Sequence, residues 1–188
     1  MDLVEPARHH AFRRATRAAV LLLLVLTVRV QPLAAAAPAT VDVGGHRLTL
    51  QGQGTRSTAF VDLYSAALYL PRRLADVRRI WDPDIPKALY VEILYGGSLP
   101  DKIPKSWSRE LLPSLTFEQK DAVAEAWATL NTGDTIRVTY TPEAGTSILV
   151  GERLVLTDRD DTIIRSFLDL WVGRSPVSKE LRGSLLGE

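Results

Sequence analysis

Residues 60–71, FVDLYSAALYLP, form one long segment with apolar residues on both of its alternating sides. Phe60, Tyr64 and Leu68 fall on one side and Val61, Leu63 and Tyr69 on the other. A strand of that kind is buried twice or lines a pocket. The flanking segments have the pattern of strands as well. Val41 and Val43 precede a Gly44-Gly45 turn, Leu48 and Leu50 alternate with polar residues, and Leu89 to Tyr95 alternates again.

Helical spacing separates these strands from a later pair. Leu74, Val77 and Trp81 define a short helix that Pro83 stops. Ile103, Trp107 and Leu111 lie on one stripe of a second, with Pro104 in its first turn. Thr116 with Gln119 makes a capping box for a third, whose apolar face is Phe117, Val123, Trp127 and Leu130. Gly133-Asp134 then precedes two strands, Thr135 to Thr141 and Thr146 to Leu156. Ile163 to Trp171 is a strongly apolar helix ending at Gly173, and Ser175-Pro176 caps a last one bearing Leu181, Leu185 and Leu186. The order of strands, helices, strands and helices predicts an α+β fold, an antiparallel sheet with helices packed on one face.

The first 36 residues stand apart. Arg8, Arg13, Arg14 and Arg17 precede an apolar run from Ala18 to Val28, and the small residues Ala34 to Ala37 follow. Basic, then apolar, then cleavable is the order of a secretory signal, and cleavage is expected near Ala36. A helix over Ala18 to Val28 spans only about 16 Å, roughly half a hydrocarbon core, before Arg29 interrupts it. A retained anchor extended through Val30 is the alternative, and Arg13-Arg14 supports twin-arginine export only poorly. Residues 37–188 are expected to be one periplasmic or secreted domain with no stable membrane span.

Composition excludes several chemistries. The chain has no cysteine, so thiolate metal sites, disulfides and a cysteine nucleophile are absent. Beyond Ala36 it carries 18 basic against 20 acidic residues, a formal charge of −2, which argues against a nucleic-acid partner. His46 is the one histidine there, in the polar turn Gly44-Gly45-His46-Arg47, so neither a His-rich metal site nor a Ser-His-Asp triad is expected. The adjacent acids Asp160-Asp161 complement a helix N-terminus rather than form a catalytic dyad.

The segment Gly52-Gln53-Gly54-Thr55-Arg56, followed by the run at 60–71, resembles the chalcone-isomerase-like family. Gly133-Asp134-Thr135-Ile136, Thr141-Pro142, Gly145-Thr146, and Phe167 to Gly173 with Ser175-Pro176-Val177 follow in the family's order. The resemblance spans residues 44–187 and implies an open-faced β-sandwich with a ligand cleft between sheet and helices. It implies that Arg56 takes the place of the arginine that stabilises a phenolate in the family's enzymes, where a guanidinium holds an oxyanion with two donors. Tyr64 falls where those enzymes carry a threonine, Trp107 at their catalytic tyrosine, Ser114 at an asparagine and Leu170 at a serine or threonine.

Trp107 and Leu170 offer no hydroxyl, which favours binding over catalysis. The family's fatty-acid-binding branch grips a carboxylate with an arginine and a tyrosine, and Arg56 with Tyr64 is similar to that pair. The expectation is a binder of a small amphipathic carboxylate or phenolic ligand through Arg56, Tyr64 and Trp107, with no metal or cofactor. The alternatives are an intramolecular lyase on a chalcone-like phenol using Arg56 and Tyr64, a haem binder, and an interaction scaffold with a filled cleft.

Overall fold

The computed structural model describes residues 36–188. The leader expected upstream of Ala36 lies outside the described residues. Seven strands make a single antiparallel meander in sequence order: β1 (Thr40–Val43), β2 (His46–Thr58), β3 (Val61–Leu70), β4 (Lys87–Ile93), β5 (Thr135–Thr141), β6 (Gly145–Val150) and β7 (Arg153–Asp158). Four α-helices accompany them: α1 (Lys105–Leu111), α2 (Phe117–Ala128), α3 (Thr162–Val172) and α4 (Lys179–Leu186). This is the expected α+β open-faced sandwich.

The main core lies between the helices and one sheet face. Leu68 of β3, Leu89 of β4 and Val138 of β5 are fully buried there with Ile163, Leu168 and Trp171 of α3 and Leu185 of α4. A smaller cluster of Val43, Leu48, Ala67, Tyr69 and Ala88 occupies the opposite face. From Tyr64 onward β3 is therefore buried on both sides, as its composition requires. The sheet curls: His46 at the start of β2 reaches Glu143 in the β5–β6 turn at 3.2 Å, and a Cβ at Gly44 would sit 3.0 Å from Thr141.

The Gly-x-Gly of the sequence has a packing cause. A Cβ at Gly52 would lie 2.1 Å from the Ser184 carbonyl oxygen, and one at Gly54 would lie 2.6 Å from Ser184 Cβ, so α4 rests directly on the β2 backbone. A bulge between Leu50 and Gly52 turns Gln51 inward, where its amide donates to Leu186 O at 2.9 Å and accepts from Leu74 N at 2.8 Å. That buried amide ties the end of α4 to the chain leaving β3.

Local signals held at several termini. Thr116 and Gln119 form the capping box of α2. The short helix is one 3-10 turn, Val77–Trp81. At the start of α3, Asp160 accepts from Thr162 N and Asp161 pairs with Arg165. Four expectations need correction. The segment from Thr146 to Leu156 is two strands, because Gly151 takes a left-handed φ of 57° and folds the chain back. Ser178, not Ser175-Pro176, caps α4, its hydroxyl accepting from Leu181 N. Phe117 begins α2 but stands 76% exposed instead of joining its apolar face. Phe60 lies outside β3, fully exposed at the tip of the β2–β3 hairpin.

Candidate functional site

Arg56 on β2 and Tyr64 on β3 are direct cross-strand partners. Side chains so placed share one face of the sheet and approach within a few ångströms at Cβ. Arg56 is half-buried as a residue, and its guanidinium donates to the Ser57 carbonyl at 3.0 Å. It makes no ion pair among the described residues, so the structural role of bridging to an acid is not what holds it. Glu180 feels the Arg56 charge without touching it; its carboxyl is lowered first by the hydrogen bond from Ser178 Oγ.

Tyr64 is 7% exposed, and its hydroxyl accepts a hydrogen bond from Trp171 Nε1 at 2.8 Å. An indole N–H only donates, so this bond occupies a lone pair and leaves the phenol proton unspent. Burial pushes the phenol above its ordinary 10.0, opposed by the Trp171 N–H, the Arg56 charge and the Trp107 indole. Tyr64 is consequently a neutral donor at physiological pH.

Aromatic rings fix this group from the helix side. Trp107 of α1 meets Tyr64 edge-on with centroids 5.5 Å apart, Trp171 at 5.2 Å and Trp127 of α2 at 5.7 Å. Trp127 is anchored in turn by its Nε1 donating to Pro100 O at 2.8 Å. Edge-to-face packing of this kind holds side-chain orientation more tightly than area burial alone.

Arg56, Tyr64 and Trp107 all line one cleft of about 660 Å³. Its walls are mostly apolar, among them Val61, Leu63, Ile93 and Leu99, with Arg109 of α1 as a second cation. The volume falls in the roughly 300–1,000 Å³ range of small-ligand sites. Behind it a void of about 40 Å³, walled only by apolar side chains, shares Trp107 and Trp127 with the cleft. Trp107 is thus both a packing residue and a cleft wall.

Two other aligned positions do not join the site. Ser114 bonds Leu111 O and Ser166 Oγ, Leu170 is buried in the core, and neither lines the cleft. His46 is likewise remote: it lies ten positions before Arg56 along β2, about 33 Å of strand. Among the described residues no group of three His, Asp or Glu side chains is arranged to hold a metal ion.

A family model described as chalcone isomerase-like matches residues 33–187. The chain belongs to the chalcone isomerase-like family. No curated protein matches the sequence. Among solved structures, an Arabidopsis thaliana fatty-acid binding protein aligns with a TM-score of 0.55 at 18% identity, covering 80% of this chain and 90% of that one. The likeness shows that the two share a fold.

In this chalcone isomerase-like protein two site residues escaped the sequence reading. Trp171 sits in the apolar stripe of α3 and reads as core; only the structure shows its N–H spent on Tyr64. Arg109 lies off the Trp107–Leu111 stripe of α1, and its ion pair with Glu110 at 3.0 Å reads as ordinary surface charge. Ser106, one turn before Arg109, also lines the cleft, so this flank of α1 was the available signal.

Proposed function

We propose that the cleft binds one anionic amphiphile, fatty-acid-like, and does not turn it over. The observation that carries this is an arginine with no ion pair among the described residues beside a tyrosine whose proton is unspent, both lining a mostly apolar cleft. A carboxylate taken from water into such a place needs a countercharge and further donors, since an unpaired ion there costs several kcal/mol. Arg56 supplies the charge and Tyr64 the neutral donor, while the tail lies along Val61, Leu63 and Leu99. Fatty-acid binding by the Arabidopsis protein of the same fold agrees with this reading.

The open cleft disfavours a scaffold with a filled one. An isomerase is disfavoured because Trp107 puts an indole where the family's enzymes carry a tyrosine, and Ser114 and Leu170 stay outside the cleft. On the order of the leader, basic then apolar then small, we place the protein outside the cytoplasm after cleavage near Ala36.

Native mass spectrometry of the mature chain from its own envelope tests both points. The expected result is wild type starting near Ala37 and carrying the mass of one amphiphile that Arg56→Ala lacks. An empty wild type that also fails to take up added palmitate overturns the binding reading.

A further inference from the structure

The void behind the cleft is one that water cannot use. Trp107 of α1, Val123, Ala126 and Trp127 of α2 and the sheet residues Ile136 and Ile148 are among its walls, and every lining side chain is apolar or an indole. Neither indole spends its N–H there. Trp127 Nε1 donates to Pro100 O at 2.8 Å, and the Trp107 indole acts on the Tyr64 hydroxyl in the cleft. A buried water needs about two to four polar partners, and these side chains offer none. A void of about 40 Å³ has room for roughly three water-sized groups. The free protein therefore carries a space that suits hydrocarbon and nothing polar.

This space continues the line of the cleft. Trp107 and Trp127 are the two residues that line both cavities, so the partition is a pair of rings meeting edge-on with centroids 5.7 Å apart. The segment that leads from β4 to α1 spans the partition too: Leu99 and Pro100 wall the cleft, and Ile103 walls the void. A tail anchored at Arg56 and Tyr64 and lying along Leu63 and Leu99 is led to Trp127 and the void beyond it. Val123 and Ala126 line the void and not the cleft, and Ala126 is the smallest side chain in the wall.

On the reading of the cleft as an amphiphile site, we propose that the void receives the terminal carbons of the ligand's tail, and that Val123 and Ala126 set the tail length the protein accepts. The ligand is then a long-chain acyl anion whose end passes between Trp107 and Trp127. A carbon entering the void gives up its own hydration and displaces no bound water, so each one strengthens binding about fourfold. A tail that ends short of the indoles gains nothing from the void.

The test is isothermal titration of the mature chain with saturated fatty acids from octanoate to stearate. Wild-type affinity should rise with length to a plateau. Ala126→Leu puts an isopropyl group into the void and should bring that plateau roughly two to three carbons earlier. Acids short of the plateau should bind the variant as they bind wild type, and the longest should bind at least about tenfold more weakly. Val123→Ala enlarges the void instead and should move the plateau to longer acids, which keeps the test decisive where the leucine prevents folding. Xenon reads the same space with no substitution, because it enters dry apolar cavities. Methyl spectra of wild type should shift at Val123, Ala126 and Val150 under xenon, and an acid of plateau length should abolish these shifts while octanoate leaves them. An unchanged plateau in the variants that fold, an equal loss at every length in Ala126→Leu, or xenon shifts that survive the longest acid overturns the proposal and leaves amphiphile binding standing. Wild type that takes up no acid of any length overturns amphiphile binding and this proposal with it.

Discussion

The Trp171 indole N–H donates to the Tyr64 hydroxyl at 2.8 Å, and both side chains are shielded from solvent. Tyr64→Phe therefore does two things. It removes the donor to the ligand, worth roughly 1 kcal/mol of affinity, and it orphans a buried N–H at about 1–3 kcal/mol of stability. With Trp171→Phe added, the double mutant should be more stable than the sum of the two single losses and recover none of the affinity. No orphan N–H then remains, while the cost of truncating a buried indole does. A urea-unfolding double-mutant cycle with palmitate titrations measures both. A double mutant no more stable than the sum of the singles shows that the bond is not what Tyr64→Phe breaks.

Arg56 contributes little to the fold: it is half-buried, bonds one neighbouring carbonyl and closes no ion pair among the described residues. Arg56→Ala should leave the thermal midpoint within a few degrees while abolishing uptake of an anionic amphiphile. Arg56→Lys keeps the charge but not the fork of paired donors, so it should restore only part of the affinity. Isothermal titration with palmitate and a melting curve decide this. A large drop in midpoint for Arg56→Ala makes the residue structural instead.

The resemblance to the family, carried by the glycine-rich segment and the doubly apolar strand, put forward the three candidate residues Arg56, Tyr64 and Trp107 but none of the bonds between them. The hairpin register then sets Arg56 beside Tyr64. Helical spacing by itself marked Trp107 only as a packing residue of α1. Trp171 stayed hidden because an apolar stripe records burial and not where an indole N–H points. Phe60 misled for a related reason: alternation extends an apolar strand through it, and Ala59-Phe60 has no Gly or Asn to announce a turn. Gly151 did carry a turn signal, but one glycine between Val150 and Leu154 was outweighed by the apolar residues around it.

Gly52 and Gly183 give a paired test of how α4 seats on the sheet. At Gly52 an added methyl would meet the Ser184 and Leu185 backbone, which cannot move aside without lifting the helix. Gly52→Ala should cost about 3 kcal/mol, the upper range for overpacking. At Gly183, inside α4, a Cβ would meet nothing within 4 Å. Gly183→Ala should stabilise by roughly 0.5–1 kcal/mol through helix propensity. Urea midpoints of the two variants should move in opposite directions. A neutral Gly52→Ala would mean that α4 does not rest on the β2 backbone.

Lys87, fully buried at the start of β4, donates to the Asp82 carbonyl at 2.7 Å and lies over the Tyr140 ring at 5.1 Å. Burial, the dominant cause, lowers its amine from 10.5 to about 8, against the attraction of Asp161 and Asp82. The sign of the pH effect follows. Below about 8 both states hold the proton and this group adds no slope. Between about 8 and 10.5 the unfolded chain keeps a proton that the folded chain has released, so stability rises with pH. The slope for one proton approaches about 1.4 kcal/mol per pH unit. Tyrosines with raised folded values, Tyr69 at about 12 among them, oppose this once the unfolded phenols ionise near 10. Urea unfolding between pH 8 and pH 9.5 therefore isolates the lysine: wild type should gain stability across that interval. Lys87→Met should remove that gain, and an equal gain in the variant would assign the titration to another group.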